Sequence, residues 1–343
     1  MKQVVVSAFG APANLDVRTV DPIEPKADEV VIRLTSVGLN QADLMARRGE
    51  YRLSSGEPPF TPGIEGGGVI TSVGSQVTER KVGQRVILTI AAPYRIGTYR
   101  SQFVTPAENT IVAPDGIPDS LLGALWLPFA TAWGALVWKQ NLQPGKILML
   151  PAASSSVAIA ASQIASSIGA TVIGTTTSPE KVSTLEDLPA AKYDHIVVTS
   201  TSASKDARIG DTEPWWRQVK RLTCGKGVDV IFDPVAAGNF LHHEIRLLAK
   251  GGTLWVYGLL GTPGTVDVSP LIRKDAAIRG WLLNTLVNTS AEQEAYQHIL
   301  KNVAAGIYQM PIAQTFSIEQ VRKAHELMES GSHIGKYVLI PSA

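Results

Sequence analysis

The stretch Ile147 to Lys181 holds the residues whose types and order point most directly to chemistry. A short apolar run, Ile147 to Ala152, follows Pro144-Gly145 and enters the turn Ala152-Ala153-Ser154-Ser155-Ser156-Val157-Ala158. A helix pattern comes next, SSVAIAASQIASSIG, with Gly169 as its stop, and then a second buried strand, TVIGTT. Strand, small-residue turn, helix, strand is the layout that sets backbone N–H groups of a helix N-terminus against a pyrophosphate. On a Gly-x-Gly-x-x-Gly frame the turn reads Ala153, Ser155 and Ala158, without a single glycine. Small residues still admit a phosphate, at the risk of conformational strain. Ser155, Ser156 and Val157 are the turn residues expected to meet it. From the turn alone, a tight connection that binds nothing stands as the alternative.

The second strand carries a further signal. Dinucleotide sites that take NAD place Asp or Glu at its end, to accept from the ribose 2′-hydroxyl. Here the strand ends Thr175-Thr176-Thr177-Ser178, with Lys181 one turn on. Hydroxyls and an ammonium suit a 2′-phosphate, which a carboxylate would repel. Thr176, Thr177, Ser178 and Lys181 are thus the expected 2′-phosphate site, and NADPH the expected cofactor. The bland alternative is a solvated loop with an ordinary surface lysine.

Elements of two kinds must position these groups. The first 120 or so residues read as short strands, among them Val30 to Asn40, Gly68 to Gly74 and Gln84 to Ile90, with one short helix at Gln41 to Arg48. From Ile147 onward apolar runs alternate with helix patterns at Glu213 to Leu222 and Asn239 to Leu248. That alternation predicts parallel βαβ units, and so an α/β, doubly wound sheet. The chain closes with an amphipathic helix pattern at Ala291 to Ala305, a capping box at Ser317-Ile318-Glu319-Gln320 opening a helix that stops at Gly331, and a strand at Gly335 to Ile340. Short connections suggest closely packed domains with a cleft between them, where small-molecule sites tend to lie.

Bulk properties remove several classes. The chain has 343 residues, 45% hydrophobic and 18% charged, enough apolar material for sizeable cores. A net charge of +1 calls for neither nucleic acid nor an anionic membrane as partner. Cys224 is the only cysteine, so a disulfide framework is impossible, and it is read as incidental. His195, His242, His243, His298, His325 and His333 show no ligand spacing. Leu121 to Trp138 is long enough to span a bilayer, but Gly123, Pro128 and Gly134 interrupt it, and a buried helix is expected. The N-terminus lacks a signal-peptide pattern, and a cytoplasmic setting is expected.

Eight segments in order resemble a known family. They are Gly38 to Tyr51 (GLNQADLMARRGEY), Pro59 to Gly74 (PFTPGIEGGGVITSVG), Pro128 to Leu136 (PFATAWGAL), ASQIASSIGATVIGTTTSPEK, VDVIFDPVAAG, GTLWVYGLLG, RGWLLN and GKYVLIP. Together they are similar to the zinc-free branch of the medium-chain dehydrogenase/reductase superfamily, with its quinone oxidoreductases of the zeta-crystallin type and its enoyl-thioester reductases. The resemblance implies a Rossmann cofactor domain over residues 123–290 and a mostly β, GroES-like catalytic domain over 1–122 and 291–343. Zinc-dependent relatives have cysteine where this chain has Asn40, and histidine where it has Ile64 in Gly63-Ile64-Glu65. Two metal ligands are therefore lost, the lobe that holds a structural zinc is absent, and no metal is expected.

Without a Lewis acid, hydride delivery to an already activated C=C is the easier chemistry: a quinone, enone or enoyl thioester. The resemblance implies Tyr51 as proton donor or oxyanion partner, Asn40 as a hydrogen-bonding group for substrate or ribose, and Thr131 as a nicotinamide contact. It places Gly258, Leu259, Asn284 and Lys336 near the cofactor. Asp43 is expected to be structural, fixing Arg47 or Arg48. Tyr94, Trp126, Trp133 and Trp281 either line an apolar pocket or fill cores. A homodimer paired through the edge Ala276 to Leu283 is implied. A carbonyl or alcohol oxidoreductase, and a catalytically decayed member with a binding role, remain alternatives.

Overall fold

The computed structural model describes residues 1–51, 56–92, 96–199, 213–262 and 264–341. The chain divides into two compact units, Met1–Ala130 with Leu283–Ala343, and Thr131–Leu282. Tyr94 lies outside the described residues.

The first unit opens with β1 (Lys2–Val6), β2 (Leu15–Thr19), β3 (Glu29–Gly38), β4 (Gly67–Val73), β5 (Arg85–Leu88), β6 (Gln102–Pro106) and β7 (Thr110–Val112). Its spine is β3, which pairs antiparallel with β4 on one edge and β6 on the other. The run VVIRLTSV suits that place, because β-branched side chains pack well on a pleated surface, and only Arg33 of the run is exposed. Val30, Ile32, Leu34 and Val37 are fully buried there, against Ile70, Val86 and Phe103. The strand delivers the chain into α1 (Gln41–Arg48). A capping box between Asn40 and Asp43 opens this helix, and Gly49, in the left-handed region at φ 82°, closes it.

The helix α2 (Trp126–Trp133) runs into a wider π-type turn, Gly134–Lys139. The apolar stretch from Leu121 to Trp138 is thus a broken helical run. Among the described residues no helix is long and apolar enough to cross a membrane.

The second unit alternates strands and helices: β8 (Ile147–Leu150), α3 (Ser156–Ile168), β9 (Thr171–Thr176), α4 (Val182–Asp187), β10 (His195–Val198), α5 (Trp215–Leu222), β11 (Val228–Asp233), α6 (Gly238–Leu247), β12 (Leu248–Val256), α7 (Ser269–Lys274) and β13 (Ala277–Gly280). The six strands form one parallel sheet in the order β10-β9-β8-β11-β12-β13. Strand order reverses between β8 and β11, the switch point where ligands bind at carboxyl ends in sheets of this kind. Helix α3 covers the sheet with Ile159 and Ile164, both fully buried and each contributing roughly 1.5–3 kcal/mol.

The chain then returns to the first unit with α8 (Ser290–Ala304), β14 (Ile312–Ser317), α9 (Val321–Glu329) and β15 (Lys336–Ile340). Strand β15 pairs with β14 and with the end of β3. The Ser317–Gln320 capping box is present, but it opens a 3-10 turn, Ile318–Gln320, from which α9 continues. The architecture is the expected one: a GroES-like β unit and a doubly wound Rossmann sheet.

Candidate functional site

Chemistry-bearing residues gather in two places, one in each unit. In the second unit they lie at the carboxyl ends of β8, β9, β11 and β12. Leaving β8, the chain places Ala152 at φ 53°, the left-handed region that costs a non-glycine residue about 1–2 kcal/mol. The strain expected of a glycine-free turn is therefore real, but it falls one residue before the Ala153, Ser155, Ala158 frame. Ser155 then caps α3, its hydroxyl accepting from the Ala158 N–H at 3.2 Å. Helix geometry leaves the N–H groups of Ser156 and Val157 without an intrahelical acceptor. Those donors and the positive end of the helix dipole suit an anion.

Beside this turn stands the end of β9. Thr176 is buried and its hydroxyl accepts from the Ser178 N–H at 3.2 Å, while Thr177 is exposed. Lys181 is 7% exposed, and its ammonium donates to the Ser154 hydroxyl at 3.3 Å. Burial lowers its pKa from the ordinary lysine value. The structure thus joins two of the sequence-predicted groups, the serine turn and the Thr/Ser/Lys loop, through Ser154.

A third component was missed in the sequence. Asp233 ends β11, fully buried, and its two carboxylate oxygens accept from the N–H groups of Val235 (2.6 Å) and Ala236 (2.8 Å). This folds the loop that borders the switch point. Glu244 of α6 faces it, also fully buried; burial first, then the Asp233 charge, raise its pKa well above the usual carboxylate range. Burial raises the Asp233 pKa as well, against the pull of its two backbone donors. The loop after β12 zips onto this one, Leu260 N–H to Pro234 O (3.0 Å) and Gly261 N–H to Val235 O (2.8 Å). Gly258 sits in that seam: a Cβ there would lie 2.7 Å from Pro234 O. Leu259 beside it is 61% exposed. The signal for Asp233 was an acid closing a buried strand next to the switch point. Thr131, elsewhere in this unit, is buried, and its carbonyl accepts the Trp281 indole N–H at 2.9 Å.

In the first unit, Asn40 and Lys336 come together with Glu65, which was not singled out. The Lys336 ammonium lies 2.7 Å from Glu65 and donates to Asn40 Oδ1 at 2.6 Å; the side chains of Lys336 and Glu65 are 1% and 2% exposed. Asn40 Nδ2 donates to Gly38 O (3.2 Å) and Glu65 Oε2 (3.3 Å), so its amide is spent inside the protein. Glu65 also accepts the Leu127 N–H at 3.3 Å. Gly38 makes room for this triad: a Cβ there would lie 2.4 Å from Glu65 Oε2 and 2.6 Å from Lys336 Cε. The triad is built without Tyr51, which is half-buried just beyond α1, or Asn284, which is exposed in the turn Leu283–Leu286.

The polar chain continues below. Asp43 accepts the Asn40 backbone N–H (2.8 Å) and the Tyr99 phenol (3.2 Å), and Tyr99 meets His325 Nε2 at 3.2 Å. Burial pushes the Asp43 carboxyl up to about 7. Burial, reinforced by Arg47, pushes His325 down to about 3. Asp43 does not fix Arg47 or Arg48, contrary to expectation. Arg47 turns instead to Glu329 and to Gly10 O, and Arg48 to Glu50 and Glu329, because α9 brings Glu329 to the outer end of α1. The tryptophans fill cores: Trp126 packs on Tyr296, Trp281 meets Trp138 edge-on, and Trp133 is 4% exposed.

Among the described residues no group of three or more His, Cys, Asp or Glu side chains is placed to hold a metal ion. The donor set near Glu65 does not suit one either. Asn40 and Ile64 are poor replacements for thiolate and imidazole, and an ammonium already faces the carboxylate.

Residues 26–115 match the family described as alcohol dehydrogenase GroES-like domain, and residues 192–339 that described as zinc-binding dehydrogenase. A 2-haloacrylate reductase of a Burkholderia species is 30% identical over 349 residues, covering 99% of this chain and 98% of the relative. Two solved structures superpose with a TM-score of 0.85. An NAD-dependent alcohol dehydrogenase is 28% identical, over 99% of this chain and all of the other. The quinone oxidoreductase of Pseudomonas syringae pv. tomato DC3000 is 27% identical, over 99% of each.

Proposed function

The chain belongs to the medium-chain dehydrogenase/reductase superfamily, in its quinone oxidoreductase and enoyl reductase branch, and on that premise we propose that it is a zinc-independent, NADPH-dependent reductase of an activated C=C or a quinone. The observation that carries the cofactor choice is the Lys181 ammonium held at Ser154, beside a strand end with hydroxyls and no carboxylate. When bound, the cofactor supplies a hydride. The Ser156 and Val157 N–H groups, with Ser155 shaping the turn, hold the pyrophosphate; Thr176 shapes the loop in which Thr177, Ser178 and Lys181 hold the 2′-phosphate. Gly258 and Leu259 would border the cofactor, and Thr131 is the residue of the second unit that the resemblance assigns to the nicotinamide, as Asn284 is that of the first. The Tyr51 phenol steadies the negative charge that reduction leaves on the substrate oxygen, and returns a proton to the product. Asn40 and Lys336 act by holding the entry to α1 in place, because the Asn40 amide is taken up by Gly38, Glu65 and Lys336, and the Lys336 ammonium faces Asn40 and Glu65. The active form is a homodimer paired through β13, the edge strand of the parallel sheet.

The test is NADPH oxidation with a panel of quinones, enones and enoyl thioesters, with and without a chelator, and identification of the product. The expected product keeps its carbonyl and loses its C=C, at a rate the chelator leaves unchanged. An alcohol product would favour carbonyl reduction instead. Absence of NADPH binding by calorimetry would make the chain a non-catalytic member, and loss of activity on chelation would overturn the zinc-independent mechanism.

A further inference from the structure

The opposite rim of the parallel sheet has a charge pattern that the nucleotide edge does not explain. In a βα unit each helix ends where the next strand begins, so the C-terminal ends of α5, α6 and α7 gather at the amino ends of the strands. A cavity of about 340 Å³ opens there. Its eight lining residues include Lys220, Arg246, Arg273, Lys274, Trp216 and His243, and none is acidic.

Helix-end compensation accounts for part of this. Cations favour the last turn of a helix, and Lys274 donates directly to the terminal carbonyls Arg246 O and Leu248 O. It does not account for the rest. Asp267 reaches only Arg246, at 3.8 Å, and Glu213 pairs with Arg221 outside the cavity lining. Among the described residues no carboxylate pairs with Lys220, Arg273 or Lys274. These cations are near enough to disfavour one another: after burial, Lys220 and Arg246 are the causes that lower the Lys274 pKa. Four cations thus gather around one cavity, and among the described residues Arg246 is the only one of them with a carboxylate partner.

We propose that this cavity binds a multiply charged phosphate group, of diphosphate size, at a site separate from the nucleotide edge. The Arg246 and Arg273 guanidiniums supply paired N–H donors to phosphate oxygens, Lys220 and Lys274 supply charge, and Trp216 with the His243 ring stacked on it (7° between planes, 5.6 Å) forms the apolar wall.

The probe is inorganic pyrophosphate, titrated by calorimetry into the full-length protein at low salt. Wild type is expected to show binding that weakens as salt is raised. The exposed pair Arg246→Ala/Arg273→Ala should weaken it about tenfold or more, and Lys181→Ala should leave this site unchanged. Circular dichroism of the variants checks that the fold is intact. Equal affinity in wild type and the double arginine variant would overturn the proposal. So would loss of all pyrophosphate binding in Lys181→Ala, which would place the anion at the nucleotide turn alone.

Discussion

Replacing Lys336 by Met tests whether the buried triad is a charge pair that must be kept whole. At 2.7 Å the Lys336–Glu65 attraction is about 6 kcal/mol for an effective dielectric of 20. Taking both groups out of water costs several kcal/mol per ion, so the intact pair contributes little net stability. Half a pair is different. Lys336→Met leaves the Glu65 carboxylate buried, with only the Leu127 and Asn40 N–H donors, and should cost about 3–5 kcal/mol. For a unit of this size that is a melting-point drop of roughly 6–20 °C, at 2–4 °C per kcal/mol. Adding Glu65→Gln removes the uncompensated charge and keeps an oxygen for the Leu127 N–H, so the double variant should recover more than half of the loss. Scanning calorimetry of wild type, both single variants and the double variant closes the cycle. A drop of less than about 2 °C in Lys336→Met, or a double variant no more stable than Lys336→Met, would refute the reasoning.

Three further outcomes follow from the geometry. Lys181→Ala should weaken NADPH about tenfold and leave NADH nearly unchanged, since one charge-assisted contact is lost; fluorescence titration with both cofactors reads this. Asp43, raised from 3.8 to about 7, is held protonated by the fold at mildly acid pH. Its contribution is fully present below pH 4 and is lost as pH rises to about 7, by about 4 kcal/mol in all, with no further change above. Asp43→Asn should lack that decline in urea denaturation compared at pH 5 and pH 8, and an unchanged decline would assign it to other groups. Ala152→Gly relieves the left-handed alanine and should raise stability by up to about 1 kcal/mol in the same assay, because that relief exceeds the backbone entropy glycine adds to the unfolded chain.

Local features were legible because their causes are local. The helix Gln41–Arg48 has the bounds its pattern gave, and Gly169 ends α3 in the left-handed conformation expected of a helix stop. The parallel sheet followed from alternating strand and helix patterns, which no distant contact needs to confirm. What escaped was pairing. Glu65 and Lys336 each stood in a recognised segment, one near the start of the chain and one near its end. No spacing rule links them; only the antiparallel contact of β15 with the end of β3 does. The same contact changes what Asn40 is. At a position where relatives keep a metal ligand, an asparagine invites assignment to substrate or cofactor. Yet its carbonyl takes the Lys336 ammonium and its amide hydrogens go to Gly38 and Glu65. What the contacts show is a lysine from the last strand supplying the positive charge that faces buried Glu65. That partner comes from nearly the whole length of the chain away, which is why the sequence pattern around Glu65 does not announce it.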